Sequence, residues 1–211
     1  LSDELPDGHM GFPGNLKVET TYKVNKSTID IFIEASTDET TLCNFTNHSY
    51  FNLDGSKNIA NHNLIVNCGK VLPVDKNGIP ICKPVSTEEL NLDFKNSRKL
   101  ENNGKPIEID HNFCISNSRQ YLRTHAAVSV KNISLELLST EPGLQIYTGK
   151  GLDSGNEKGW GKVPYKKFAG IALEPQIWPD SPNQVGFPNP YLSPHEKYKH
   201  HTRIKFSNSN N

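Results

Sequence analysis

In Lys17-Val-Glu-Thr-Thr-Tyr-Lys-Val24 and Ser27-Thr-Ile-Asp-Ile-Phe-Ile-Glu34, apolar and polar residues alternate. An alternation with a period of two is typical of strands that are buried on one face only. Short segments containing Asn, Gly, Asp or Ser flank both stretches, as turns between antiparallel strands do. Both stretches are therefore predicted to be half-buried strands.

The same alternation recurs along most of the chain. Further predicted strands span residues 41–44, 63–67, 125–131, 134–139, 144–148, 169–173 and 201–206. The best helix candidate is 87–96, which opens with Thr-Glu-Glu but contains Asn91 and Asp93, both of which disfavour a helix. Because 14 Pro and 15 Gly punctuate the rest, we predict an all-β fold, an antiparallel β-sandwich or barrel, whose loops carry the function.

The composition excludes partners that require a strongly charged or strongly apolar surface. Lys and Arg total 23, as do Asp and Glu, so the 211-residue chain has no net charge. Nucleic acids and anionic membranes attract basic surfaces, and a spanning helix needs ~20 consecutive apolar residues, which this sequence lacks. We predict one soluble domain at 1–206 with a polar, frayed tail at 207–211, and neither nucleic acid nor membrane as a partner.

Neither the cysteines nor the clustered histidines have the spacing of a metal site. The cysteines stand far apart, at Cys43, Cys68, Cys82 and Cys114. We predict free thiols in a reducing compartment, the cytoplasm. His195, His200 and His201 fit no regular strand or helix face, so we predict a solvated loop before the last strand rather than metal ligands.

Three segments combine ionisable residues with rigid neighbours. They are Asn44-Phe-Thr-Asn-His-Ser-Tyr-Phe-Asn-Leu53, Ile109-Asp-His-Asn-Phe113 and Leu173-Glu-Pro-Gln-Ile-Trp-Pro-Asp-Ser-Pro-Asn183. Their candidate functional residues are His48, Asp110 and Glu174. On spacing alone, a packed histidine, a turn-capping aspartate and an exposed charge at a strand end are the commoner explanations. Spacing therefore leaves the function open.

At these segments the sequence resembles the aldose 1-epimerase (galactose mutarotase) family. The matching blocks are Asp-Gly-His-Met-Gly-Phe-Pro-Gly-Asn-Leu at 7–16, Thr-Asn-His-Ser-Tyr-Phe-Asn-Leu at 46–53, Leu-Pro-Val-Asp at 72–75, Asp-His-Asn-Phe at 110–113, Glu-Pro-Gly-Leu-Gln-Ile-Tyr-Thr-Gly at 141–149, Leu-Glu-Pro-Gln at 173–176 and Pro-Asp-Ser-Pro-Asn at 179–183. The blocks occur in the family's order and cover nearly the whole chain, which is far more specific than any one of them.

The resemblance implies a β-sandwich of the galactose mutarotase type that interconverts the α and β anomers of free aldohexoses such as galactose and glucose, without metal or cofactor. His48 falls on the family's general acid and Glu174 on its general base. Asp110 falls on a carboxylate that holds sugar hydroxyls, and Gln145 lies in a block that borders the site.

The chemistry of ring opening gives a reason for this set. A base removes the proton of the anomeric hydroxyl while an acid protonates the ring oxygen. A carboxylate with an ordinary pKa near ~4.3 is a poor base, so we expect burial to raise the pKa of Glu174, with Trp178 supplying apolar surroundings. An imidazole with a reference pKa near ~6.5 suits an acid that gives and regains a proton at neutral pH.

The sequence also departs from the family. Members of the family are longer at the front by something like a third, and the additional part supplies several strands together with an Arg and a His, in a His-Gly-Gly type segment, that contact the sugar. This sequence has no such segment. Two explanations stay open: the sequence is part of a longer chain, or the sandwich lacks the family's N-terminal strands. In the second case we expect exposed strand edges and reduced stability and activity.

Two other functions remain open at this level. One is a carbohydrate-binding or sugar-sensing module on the same fold, in which His48 and Glu174 only bind the ligand. The other is a hexose-6-phosphate 1-epimerase, which would need Arg or Lys near the site. Arg119 and Arg123 follow Asp110, whereas the segment after Glu174 contains no basic residue.

Overall fold

Two antiparallel sheets stacked on one another form the body of the protein. The structure is a computed structural model that describes residues 1–81 and 83–209. Every strand pairing among these residues is antiparallel. The predicted all-β fold is confirmed, and no α-helix occurs in the described part of the chain.

The larger sheet contains eight strands. In spatial order they are β1 Ser2–Leu5, β2 Leu16–Asn25, β3 Thr28–Thr37, β18 Tyr198–Asn208, β14 Ile133–Ser139, β13 Arg123–Val130, β6 Asn63–Val66 and β9 Arg98–Lys99. The alternating stretches 17–24 and 27–34 lie almost entirely in β2 and β3, which pair as a hairpin from Leu16 opposite Thr37 to Asn25 opposite Thr28.

The smaller sheet contains six strands and carries the candidate site. In spatial order they are β5 Tyr50–Phe51, β16 Ile171–Gln176, β15 Gly143–Tyr147, β12 Asp110–Cys114, β7 Lys70–Val71 and β8 Val85–Ser86. Two short ribbons complete the strands, β4 Thr41–Leu42 with β17 Tyr191–Leu192 and β10 Glu101–Asn102 with β11 Lys105–Pro106. Three single-turn 3₁₀ helices span His9–Gly11, Trp160–Lys162 and Ser181–Asn183.

The core lies between the two sheets. Alternate side chains of the larger sheet point inward, among them Ile31, Leu137 and Ile204, and they belong to the same buried cluster as Phe113 and Ile146 of the smaller sheet. Burying one such aliphatic or aromatic side chain stabilises the fold by roughly 1.5–3 kcal/mol. The sandwich therefore holds the smaller sheet rigidly, with its other face turned away from the core.

Several boundaries differ from the predicted ones. The helix candidate 87–96 contains turns and no helix. The last strand runs from Tyr198 to Asn208, so Ser207 and Asn208, which we predicted to be frayed, pair with β14; residues 210 and 211 of the predicted tail lie outside the described part. The strands that were not predicted are β1, β12 and seven two-residue strands, and β12 contains Asp110.

The histidines before the C-terminus also differ from the prediction of a solvated loop. His200 and His201 lie within β18, and His200 is buried, with Nδ1 3.0 Å from the Phe45 carbonyl oxygen and Nε2 2.7 Å from Thr202 Oγ1. His195 does precede the strand, and its φ of 72° lies in the left-handed region that glycine favours. The alternating pattern of β18 places one histidine on each face of the sheet.

Candidate active site

The face of the smaller sheet that points away from the core collects the polar residues. Gln145 on β15 lies directly opposite Asn112 on β12 and Glu174 on β16. Since residues opposite one another across a ladder share a face, these three side chains lie in one row. Their chain neighbours Phe113 and Ile146 point the other way into the core. A single sheet register thus assembles groups from distant parts of the sequence.

A second row lies one step along the same face. Asp110 is opposite Tyr147, which is opposite Ala172, which in turn is opposite Tyr50 on the edge strand β5. The tyrosine rings meet edge to face with centroids 6.2 Å apart. Ala172, which lies between the two tyrosines in this row, is fully buried, and it is two residues before Glu174 on the same strand.

Glu174 is a nearly buried carboxylate. It is 7% exposed, although the strand on which it lies borders an open face. Burial raises the pKa of its carboxyl, the charge of His48 opposes that change, and the charge of Asp110 raises the pKa further. Glu174 is therefore a stronger base than an ordinary surface glutamate. We expected it at a strand end; it is instead the fourth residue of the six in β16.

His48 faces Glu174 from outside the sheet. Its Nε2 lies 3.3 Å from Glu174 Oε1, and its side chain is 53% exposed, whereas that of Glu174 is 9% exposed. The imidazole belongs to residues 43–49, which lead into β5 without forming a strand. Its ring centroid lies 5.2 Å from that of Tyr50. A solvent-accessible imidazole thus lies beside a nearly buried carboxylate.

Asp110 and Gln145 are held together next to this pair. Gln145 Nε2 donates a hydrogen bond of 2.7 Å to Asp110 Oδ1. Within the described part of the chain, Gln145 Oε1 and Asn112 Oδ1 are buried and have no hydrogen-bond partner. Buried polar atoms are normally satisfied, so unpaired acceptors at this face suit a ligand that brings hydroxyl donors.

Four residues of this face were predicted from the sequence, and others were not. His48, Asp110, Gln145 and Glu174 lie together, and of these only His48 lies outside a strand, contrary to the expectation that loops would carry the function. Tyr147 could have been found, because it follows Gln145 by two residues and the strand period puts both on one face. The strand β5 is too short for any alternation to mark Tyr50, and β12 was not predicted, so Asn112 gave no signal.

Trp178 and Arg119 are each held by specific contacts. Trp178 Nε1 donates to the Pro142 carbonyl oxygen at 3.1 Å, and its ring packs on Phe187 in a small cluster of its own. The Arg119 guanidinium pairs with Glu141 and lies 4.2 Å from the centre of the Tyr198 ring. Because its guanidinium is occupied by these contacts, Arg119 gives no support to the binding of a sugar phosphate at this face.

No group of three or more His, Cys, Asp or Glu in the described residues could hold a metal ion. In the same part of the chain, no helix is long and apolar enough to cross a membrane.

The fold and the polar face together define a galactose mutarotase-type β-sandwich. A solved structure of an aldose epimerase homologue from C. elegans has the same fold, with a TM-score of 0.88 at 28% sequence identity over 98% of this chain and 65% of that one.

Residues 1–205 match the sequence model of the aldose 1-epimerase family, and the chain belongs to this family. The galactose mutarotase of Mus musculus is 40% identical over 210 residues, which cover 96% of this chain and 60% of the mouse protein. The aldose 1-epimerase of Escherichia coli (strain K12) is 33% identical over 213 residues, covering 95% and 61%. The chain thus spans about 60% of the length of the curated relatives it matches.

Proposed function

We propose that this chain catalyses the interconversion of the α and β anomers of free aldohexoses, galactose and glucose among them. The observation that carries the proposal is the contact of 3.3 Å between His48 Nε2 and Glu174 Oε1. The anomeric hydroxyl and the ring oxygen are bonded to the same carbon, so an acid and a base that serve both must lie within a few ångströms of each other. The family and its curated relatives support the same activity.

In the proposed reaction, Glu174 takes the proton of the anomeric hydroxyl while protonated His48 gives a proton to the ring oxygen. The bond between the anomeric carbon and the ring oxygen breaks, and the electrons of the former hydroxyl form the aldehyde carbonyl. Rotation about the adjacent carbon–carbon bond presents the other face. On closure, Glu174 returns its proton to the carbonyl oxygen and His48 takes one from the attacking hydroxyl, which restores both groups.

Asp110 and Gln145 hold the sugar in this proposal. The Gln145–Asp110 hydrogen bond orients the amide so that its oxygen, like the carboxylate, can accept from sugar hydroxyls. Fixing the pyranose against both proton-transfer groups turns the two transfers into near-unimolecular steps. Tyr50 and Tyr147 lie in the neighbouring row of the same face and can pack against the apolar face of the ring.

A polarimetric experiment tests the function. Freshly dissolved α-D-galactose should reach its equilibrium rotation faster with the protein than without it, and a His48→Asn variant should lose ~10²–10⁴-fold of that gain because the acid is removed. Equal loss in a His9→Asn control would show that the effect does not belong to His48; His9 is exposed and lies before β2. A folded wild-type protein without any effect on the rate would contradict the proposal.

The pH dependence follows from the environment of Glu174. Because its pKa is raised above 4.5, kcat/KM should fall on the acid side at a pH above that ordinary value, as the base becomes protonated. In Asp110→Asn the like charge is gone, so the pKa of Glu174 falls and the acid limb moves to lower pH, while KM rises. Glu108→Gln, an exposed change two residues earlier, should leave the limb in place. A limb unmoved by Asp110→Asn would contradict the assignment of Glu174 as the titrating base.

We also propose that the protein works in a reducing compartment such as the cytoplasm. Cys43, Cys68 and Cys114 are free in the structure, which supports this proposal; Cys82 lies outside the described residues. Burial raises the pKa of the Cys43 thiol to about 12, and buried thiols of this kind are unreactive.

A further inference from the structure

The segment that carries His48 has no place in either sheet. Residues 43–49 form neither helix nor strand, and we call them the His48 segment. A segment without ladder hydrogen bonds must be held by other contacts if its imidazole is to keep a fixed distance from a strand-borne carboxylate. The bonds that hold the His48 segment therefore decide the geometry of the proposed acid and base.

Most of these bonds run to the larger sheet. The Phe45 N–H donates to the Tyr198 hydroxyl at 3.1 Å, and His200 Nδ1 lies 3.0 Å from the Phe45 carbonyl oxygen. Farther along, Asn47 Nδ2 donates to the Tyr22 hydroxyl at 3.3 Å. All three partners lie on β2 or β18, so these contacts fix the His48 segment to the sheet opposite the one that carries Glu174.

Asn44 makes the connection to the other sheet. Its Oδ1 accepts from the Ile177 N–H at 2.9 Å, and its Nδ2 donates to the Ile177 carbonyl oxygen at 3.2 Å. Ile177 directly follows β16, three residues after Glu174. The amide therefore pairs with both backbone groups of one residue, much as a ladder neighbour would, and does so across 133 positions of sequence.

Ile177 is itself a rigid anchor. It is 2% exposed, and the next residue, Trp178, is held by its indole N–H on the Pro142 carbonyl oxygen. Asn44, in contrast, is an exposed residue whose backbone belongs to no strand. We call the two hydrogen bonds between Asn44 and Ile177 the Asn44 clamp; it ties the His48 segment to a fixed point at the end of β16.

We propose that Asn44 is a positioning residue that sets the separation between the His48 imidazole and the Glu174 carboxylate by tying the His48 segment to the end of β16. The inference rests on the proposed function in that it assigns these two groups as acid and base. Asn44 itself touches no reacting atom, and it acts only through the position of His48.

The kinetic test compares two asparagines. Asn44→Ala should lower kcat about 10–100-fold with KM changed less than about threefold, because a displacement of ~1 Å of a proton-transfer group can cost ~10²-fold in rate. The matched control is Asn52→Ala. Asn52 also donates two hydrogen bonds to backbone carbonyls, of Ser56 and Ala169, but it follows β5 and makes no bond to the His48 segment. Its loss should lower the melting temperature similarly and leave kcat within about threefold.

A double variant separates positioning from general loosening. If Asn44 acts through His48, then Asn44→Ala adds little to His48→Asn, and the two losses are not additive. Additive losses, or an equal fall of kcat in Asn52→Ala, would overturn the proposal. Should Asn44→Ala not fold, Asn44→Asp keeps the acceptor for the Ile177 N–H and is expected to retain a kcat between those of the wild type and His48→Asn; a wild-type kcat would count against the clamp.

A measurement without turnover keeps this inference separate from the proposed function. The ¹³C signal of the Glu174 carboxyl group reports its pKa. Burial raises this pKa in the wild type, and the charge of His48 opposes that rise. Loosening the His48 segment in Asn44→Ala weakens that contact, so the pKa of Glu174 should rise further, whereas Asn52→Ala should leave it unchanged. If the wild type is inactive but the pKa of Glu174 rises in Asn44→Ala, the proposed function is contradicted and the positioning role of Asn44 is supported. If the pKa does not change, the positioning role is contradicted.

Discussion

Replacing Glu174 by Gln is expected to lower kcat about 10²–10⁴-fold while the protein stays folded. The amide has nearly the same shape as the carboxylate but cannot take the anomeric proton. Burial of Glu174 already disfavours its ionised form, so a neutral side chain at this position should leave the melting temperature unchanged or raise it. Stability and activity therefore move independently, which distinguishes a lost base from a damaged fold.

The control for this variant is Glu136→Gln. Glu136 lies on β14 in the larger sheet, where it accepts a hydrogen bond from Thr124 and pairs with Lys205. Removing its charge should leave the rate of anomer exchange unchanged. A Glu174→Gln protein that retains more than about a tenth of the wild-type kcat would contradict the assignment of Glu174 as general base.

Breaking the ion pair of Arg119 and Glu141 should have the largest effect on stability. Glu141 is fully buried, and Arg119 Nε donates to its Oε1 at 2.6 Å. Arg119→Met leaves that carboxylate without its partner, and an uncompensated buried charge of this kind costs about 3–5 kcal/mol. Chemical denaturation should show this loss as a lower midpoint with an unchanged slope.

A second variant and the pH dependence check the cause. Arg119→Met/Glu141→Leu removes both charges and should recover most of the lost stability. Burial raises the pKa of the Glu141 carboxyl and Arg119 opposes that change, so in Arg119→Met the pKa rises further. A raised folded-state pKa favours the folded state at low pH and disfavours it as pH rises through that value. The single variant should therefore be less destabilised near pH ~4 than near pH ~8; equal losses at both would contradict an unpaired charge as the cause.

A strand could be predicted from the sequence where one of its faces is apolar and buried and the other is polar. Strands β2 and β3 alternate between core and solvent, so the period of two was visible in the sequence. Strand β12 reads Asp-His-Asn-Phe-Cys, because one face carries site residues and the other begins with His111 before reaching Phe113. Because polar residues occupy positions on both faces of β12, the strand shows no clear alternation, and it was not predicted for that reason.

The predicted end of β16 was wrong because of a proline. Pro175 lies inside this strand, opposite Leu144, although a proline cannot donate to a ladder and commonly ends a strand. The sequence therefore put Glu174 at a strand end, where an exposed charge is ordinary. In the structure the strand continues, and Glu174 stays on the sheet face beside Gln145.

The candidate residues came from family resemblance, and their arrangement came from the register. The blocks that contain His48, Asp110, Gln145 and Glu174 were visible in the sequence, because each matches a motif. The row that joins Asn112, Gln145 and Glu174 was not, since the pairing of β12, β15 and β16 depends on strands far apart in the chain. The clamp of Asn44 on Ile177 belongs to the same class of long-range contact.

The most direct test of the account is exchange spectroscopy on galactose at anomeric equilibrium. With wild-type protein, magnetisation should pass between the α and β anomeric protons at a rate proportional to protein concentration, and the same concentration of Glu174→Gln should return the rate to within a few per cent of that in buffer, as loss of ~10²-fold or more requires. Exchange in the wild-type sample no faster than in buffer, with the protein folded, would contradict the claim that His48 and Glu174 open the sugar ring.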